Sequence, residues 1–193
     1  MAASLRSMVS ELVVYDADDS SCSNEAAGFV ASHAYGAWTV DAKGIHAAPE
    51  LNGVLDGFVN IKQLSFCTHG FPAGVYFNGG SLTGVNLSTV TVPRNLFAGP
   101  GRLLFMGCET ARTKAGEDFL IAAGKHFFAG KGGIVGGATI YILGADLFTP
   151  FSDARLPVLG RSSGGWGSGK LILFHLDTKG NVIASKTVKP FGL

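Results

Sequence analysis

The chain has 193 residues, 47% hydrophobic and 15% charged, with a formal net charge of +1 and a mean hydropathy of +0.31. That balance excludes a disordered chain and fits one domain with a full core, and the absence of a Lys/Arg run excludes an electrostatic footprint for nucleic acid or a membrane surface. Three cysteines without framework spacing exclude a disulfide scaffold, and no run approaches the ~20 apolar residues that span a bilayer.

Met1-Ala2-Ala3-Ser4-Leu5-Arg6 lacks the apolar centre of a signal peptide, so a reducing, cytoplasmic location is expected, with export by a signal-less route left open. Glu11 to Tyr15 predicts the first strand, which runs into the acidic turn Asp16-Ala17-Asp18-Asp19. Ser23 or Asn24 is the expected cap of a short helix over Glu25 to Ser32, and residues 34–46 read as a loop or short hairpin. Pro49-Glu50 opens a helical stretch with Leu51, Val54, Leu55 and Phe58 on one face. Ile61 to Cys67 is the next strand and delivers His69-Gly70. Asn78-Gly79 between apolar runs predicts a hairpin over residues 74–82.

A loop with Pro93 and Gly99-Pro100-Gly101 leads to a strand from Arg102 to Met106. Past Cys108 the pattern turns helical, with Ala115, Phe119, Ala122, Ala123 and Phe127 on one face, and Gly130 to Gly133 ends it. Ile134 to Ile142 reads as a strand, residues 161–169 as a Gly/Ser-rich loop, and 171–188 as a hairpin turning at Asp177 to Gly180. Strands alternating with helices over residues 50–142 predict an α/β fold with a mostly parallel central sheet, in a single domain of core 11–142 and a C-terminal β-hairpin extension 160–193.

Two stretches carry the chemistry: Leu64-Ser65-Phe66-Cys67-Thr68-His69-Gly70 and Leu103-Leu104-Phe105-Met106-Gly107-Cys108-Glu109-Thr110. Buried parallel strands read as continuous apolar runs, and substrates sit beyond their carboxyl ends. Two neighbouring strands that end in His69 and Cys108 place an imidazole beside a thiol, the pairing of a base with a cysteine nucleophile. Cys108 is expected at the start of a helix, where unpaired amides and the positive helix end favour thiolate. Gly107 leaves room for a substrate carbonyl, the backbone amides of Gly70 and Cys108 offer an oxyanion hole, and His69 serves as base and then acid. The competing reading is that Cys108 is an inert buried thiol, a common fate of free cysteine.

The remaining polar residues suggest less. Cys67 reads as a buried structural thiol and Cys22 as an incidental surface thiol in a polar loop. A zinc site at Cys67, His69 and Cys108 lacks the tight Cys spacing of structural sites, and His33, His46, His126 and His175 are scattered. Lys131-Gly132-Gly133 lacks the order of a phosphate-binding loop, and Cys108 to Arg112 is too short to wrap a phosphate. Glu109 and Arg112 are expected to cap or pair at the helix start.

An apolar block ending His-Gly, followed by one ending small-Cys, resembles the caspase-like (clan CD) cysteine peptidases. These include caspases, gingipains, clostripain, separase, CHAT proteins and the self-cleaving domain of MARTX toxins. Met106 to Arg112 is similar to the CHAT block, while Gly107-Cys108 with Ala115 to Phe119 resembles bacterial caspase-like domains of large secreted proteins. The similarity covers roughly residues 60–140, with Gly107 standing where many members have Ala or Ser. It implies a three-layer α/β/α sandwich and a thiol protease, a hydrolase in which Cys108 attacks a peptide bond and His69 moves the proton. It also implies a substrate pocket lined from Ala138, Thr139 and onward to Tyr141, and, in some relatives, a P1 side chain held near Asp16, Asp18 and Asp19. A carboxylate there favours Arg or Lys at P1, although an exposed acidic turn is the plainer account of the three.

No metal or organic cofactor is required by this chemistry, though some relatives need calcium, inositol hexakisphosphate or a partner protein as activator. The expected partner is a protein or peptide substrate, with Arg161 a candidate self-cleavage position. Two rivals remain: a catalytically silent caspase-like protein-interaction module, and another Cys-dependent hydrolase or acyltransferase whose Asp or Asn orienter the sequence does not identify.

Overall fold

Leu12, Val13 and Val14 are all fully buried, so the first strand is covered on both faces, as a central strand of an α/β sheet must be. The structure, a computed structural model, describes residues 6–32, 37–139 and 171–188. In chain order, β1 (Glu11–Asp16) leads to α1 (Ser20–Ser32) and β2 (Val40–Ile45). A 3-10 turn over Ala48–Glu50, with Pro49 in its first turn, passes into α2 (Leu51–Asp56), and β3 (Ile61–Cys67) follows. Next come β4 (His69–Phe71), β5 (Gly74–Phe77) and β6 (Gly80–Thr83), a separate antiparallel sheet whose β5–β6 turn falls at Asn78-Gly79 as expected. Then follow β7 (Phe97–Phe105), α3 (Lys114–Phe128), β8 (Gly133–Ala138), β9 (Leu171–Leu176) and β10 (Val182–Val188).

The main sheet is 7-stranded, in the order β10-β9-β8-β7-β3-β1-β2. Its β1, β2, β3, β7 and β8 run parallel, while β9 and β10 are antiparallel additions at one side. Helices cover both faces. Val13 and Cys67 pack against Cys22, Ala26 and Phe29 of α1, spaced so that one helical face meets the sheet. Leu12 and Val14 face the opposite way, into a larger core with Leu51, Leu55, Phe119 and Phe127. Phe66 stacks on Phe105 at 5.0 Å, and Phe105 meets Phe119 at 4.9 Å, so strand and helix are joined by ring contacts worth about 0.5–1.5 kcal/mol each beyond area burial. This is the three-layer α/β/α architecture.

Several assignments differ from expectation. Residues 40–45 form a parallel edge strand rather than a loop; with a partner on one side only and Ile45 alone fully buried, its apolar signal is weak. Helix α1 starts at Ser20 because Asp19 caps it, not Ser23 or Asn24: Asp19 Oδ1 accepts from the Cys22 amide at 2.9 Å and its carbonyl accepts from Ser23 N–H at 3.0 Å. Strand β7 begins at Phe97, ahead of Arg102, and absorbs Pro100 through a register shift against β3. The expected C-terminal hairpin is present, but β9 pairs with β8, so it extends the central sheet. Among the described residues, no helix is long and apolar enough to cross a membrane.

Candidate active site

Because β1, β3, β7 and β8 are parallel neighbours, their carboxyl ends lie along one edge. At or just past these ends stand Asp16, His69-Gly70, Gly107-Cys108 and Ala138-Thr139, so the topology brings the expected site residues to one side of the sheet.

Strand β3 ends at Cys67, as expected, and delivers His69 just past its end. Thr68 turns the chain with its hydroxyl donating to the His69 carbonyl at 2.7 Å, and His69 opens β4 opposite Tyr76. The two signature segments then touch through glycine. A methyl built on Gly70 would lie 2.4 Å from the Cys108 carbonyl oxygen and 2.6 Å from the Gly107 carbonyl carbon. One built on Gly107 would lie 2.8 Å from both N and Cα of Gly70. No side chain fits between these backbones, so only glycine allows the approach. It sets His69 and Cys108 as immediate chain neighbours of a single contact.

Past Cys108 the chain makes a fixed turn. Glu109 takes a left-handed conformation with φ 56°, a placement that costs a non-glycine residue about 1 kcal/mol. Its carbonyl accepts from Arg112 N–H at 2.9 Å and its carboxylate pairs with the Arg112 guanidinium, as the sequence suggested. The buried Thr110 hydroxyl donates to Gly107 O at 3.0 Å, and Ala111 N–H donates to Ala138 O at 2.8 Å, which ties the turn to β8. Helix α3 starts only at Lys114, capped by Thr113. Cys108 is therefore not at a helix N-terminus, and the expected help from the helix end does not reach it, since that field fades within the first turn. The cysteine itself is half-buried rather than sealed in the core.

The structure supplies an orienting carboxylate that the sequence reading lacked. His69 Nε2 lies 2.8 Å from Asp19 Oδ2; a carboxylate only accepts, so Nε2 carries the proton. The Cys22 amide on Oδ1 and the His69 ring on Oδ2 hold the Asp19 carboxyl down at about 2. The remaining acidic residues are also engaged. Asp16, 2% exposed, accepts from Asp18 N–H at 3.1 Å and Asn78 N–H at 3.2 Å, which fastens the acidic turn to the β5–β6 hairpin. Asp18 Oδ1 pairs with His46 Nδ1 at 2.8 Å, a bond that raises the His46 pKa, and Oδ2 accepts from Asn78 Nδ2 at 3.3 Å. The turn is thus a built junction, not a loose exposed loop, and Asp16 is committed to backbone amides.

Two thiols lie behind it. Cys22 is 6% exposed within the α1 layer, not a surface thiol: Ser20, Ser21, Ser23 and Asn24 around it are polar, yet it shares the helix face of Ala26 and Phe29. Cys67 is buried as expected; contact with Cys22 and burial keep its thiol protonated well beyond the ordinary range, while burial raises Glu25, whose Oε2 lies 3.5 Å from Cys67 Sγ. Among the described residues, Asp19, Cys22 and His69 each bring a ligand-type atom within 4.8 Å of the others. Ala138 is buried with its carbonyl held by Ala111, and Thr139 is half-buried. Tyr141, Arg161 and the Gly/Ser-rich stretch lie outside the described residues. No protein-family model matches the chain, and no curated protein matches it.

Proposed function

We propose that the chain is a cysteine endopeptidase of the caspase-like kind, with Cys108 as nucleophile, His69 as general base and Asp19 as the residue that positions it. The observation that carries this reading is the Gly70–Gly107 backbone contact, which joins the His-Gly and Gly-Cys segments at the carboxyl edge of a parallel sheet. The Asp19–His69 bond supports it further: with Nε2–H held by Asp19, Nδ1 is the ring nitrogen that accepts a proton.

In this mechanism Nδ1 takes the Cys108 thiol proton as sulfur attacks the scissile carbonyl carbon. The carbonyl electrons move to oxygen, and the amides of Gly70 and Cys108 stabilise that oxyanion. Collapse expels the amine, which takes the proton from His69 and leaves a thioester; water then attacks, His69 again serving as base, to release the acid and the free thiol. Asp19 keeps the imidazole in the required tautomer and balances its transient positive charge. Ala138 and Thr139 form one wall of the P1 pocket. No step needs a cofactor.

The test is a peptide-library digestion with wild type, Cys108→Ala and His69→Ala, read alongside iodoacetamide labelling located by mass spectrometry. Wild type should cleave, either substitution should lower kcat/KM by about 10⁴-fold or more, and Cys108 labelling should slow in His69→Ala. Equal labelling of Cys108 in both proteins, with no cleavage by wild type, overturns the reading and leaves a protein-interaction module.

A further inference from the structure

Asp19 and Cys22 lie one turn apart at the start of α1, joined by the bond from Cys22 N–H to Asp19 Oδ1. That bond occupies one carboxylate oxygen and leaves Oδ2 toward His69 Nε2. With the Cys22 sulfur, three donors of different kinds, carboxylate O, imidazole N and thiol S, converge from two elements to within 4.8 Å of one another. Mixed O, N and S donors suit a borderline-soft divalent ion, and three protein ligands leave a fourth position for water.

We propose that Asp19, Cys22 and His69 form a zinc-type metal site whose occupation switches His69 off as a base. Zinc bonds of about 2.0–2.3 Å in tetrahedral arrangement put neighbouring donors roughly 3.3–3.8 Å apart. The His69–Asp19 pair, now at 2.8 Å, opens slightly to admit the ion, and Cys22 closes inward. The metal arrives past Asp19 and His69, whose side chains are 27% and 55% exposed.

The proton balance follows from the ligands. Cys22 releases its thiol proton to solvent as sulfur binds. At His69 the Nε2 lone pair goes to the metal, so the ring proton moves to Nδ1. A ring with Nδ1–H cannot accept the Cys108 proton. Metal binding does not depend on the peptidase reading; the inhibition it causes does.

The experiment uses the metal-stripped full chain titrated with Co²⁺ and followed by near-ultraviolet and visible absorption. The expected result is saturation at one ion per chain, with a thiolate-to-cobalt charge-transfer band that zinc displaces. The band should vanish in Cys22→Ser and persist in Cys108→Ala. A band lost in Cys108→Ala but kept in Cys22→Ser, or no saturable binding, overturns the site. Circular dichroism checks each fold; if Cys22→Ser unfolds, Asp19→Asn decides, since Asn still caps α1. Its affinity should fall at least tenfold, and an unchanged affinity overturns the proposal. Zinc should inhibit peptide cleavage by wild type and spare Cys22→Ser. A wild type that binds cobalt as described yet cleaves nothing keeps the metal site and sinks the peptidase.

Discussion

The turn after β1 and the turn after β7 leave the same edge of the sheet but are held in opposite ways. The first is tied by side chains: Asp16 to two amides, Asp18 to His46, Asp19 to the Cys22 amide and to His69. The second is tied mainly by main chain: glycine against glycine, a left-handed Glu109, and the hydrogen bond from Ala111 N–H to Ala138 O of β8. One should answer to charge and pH, the other to added atoms. A site that joins them combines a tunable half with a rigid half.

The contrast can be broken most forcefully at the rigid half. Gly70→Ala drives a methyl into the Cys108 carbonyl, and backbone cannot swing aside, so stability should fall by about 3 kcal/mol and peptide cleavage should disappear. Urea unfolding measures the first effect; wild-type stability in this variant would show that the contact is not tight. On the tunable half, Asp16→Ala removes a buried acceptor from the amides of Asp18 and Asn78 and should cost about 2 kcal/mol in the same assay. Asp19→Asn keeps the cap but weakens the hold on His69, so kcat should drop about tenfold, roughly 1.4 kcal/mol, with KM little changed. An equal loss of thermal stability in place of kcat would make Asp19 only a cap.

The smallest effect is the pH response of that carboxyl. Its folded pKa of about 2 lies below the ordinary 3.8, so its stabilisation is complete above that ordinary value and is lost as pH falls toward 2. Partial exposure screens the pair, which limits the contribution to about 1 kcal/mol. Acid unfolding of wild type against Asp19→Asn should converge by pH 2; curves that stay parallel would remove Asp19 from the acid response.

These differences also explain what could be read in advance. Strands β3 and β7 were legible because burial on both faces leaves continuous apolar runs, and the β5–β6 turn because Asn78-Gly79 has few other uses. The paired His-Gly and Gly-Cys segments were legible for the same reason. Asp19 was not, since its partner is His69 across 50 positions, and a polar run of serines concealed both the first turn of the helix it caps and the burial of Cys22. The misplaced start of α3 has a local cause. The chain uses the Glu109 turn and the Thr113 cap before the helix begins, and an apolar period alone does not register such a detour.

Ala138 and Leu171 are register partners at the end of β8 and the start of β9. Both therefore stand at the edge of the sheet that carries Cys108. Two routes to a cut at Arg161 by the proposed thiol differ in reaction order. A cut at Arg161 made by a chain's own thiol is unimolecular, so its half-life stays constant when the protein is diluted a hundredfold. Cleavage of one copy by another slows in proportion to concentration. Following intact mass over time at two dilutions therefore tells a tethered substrate from a delivered one.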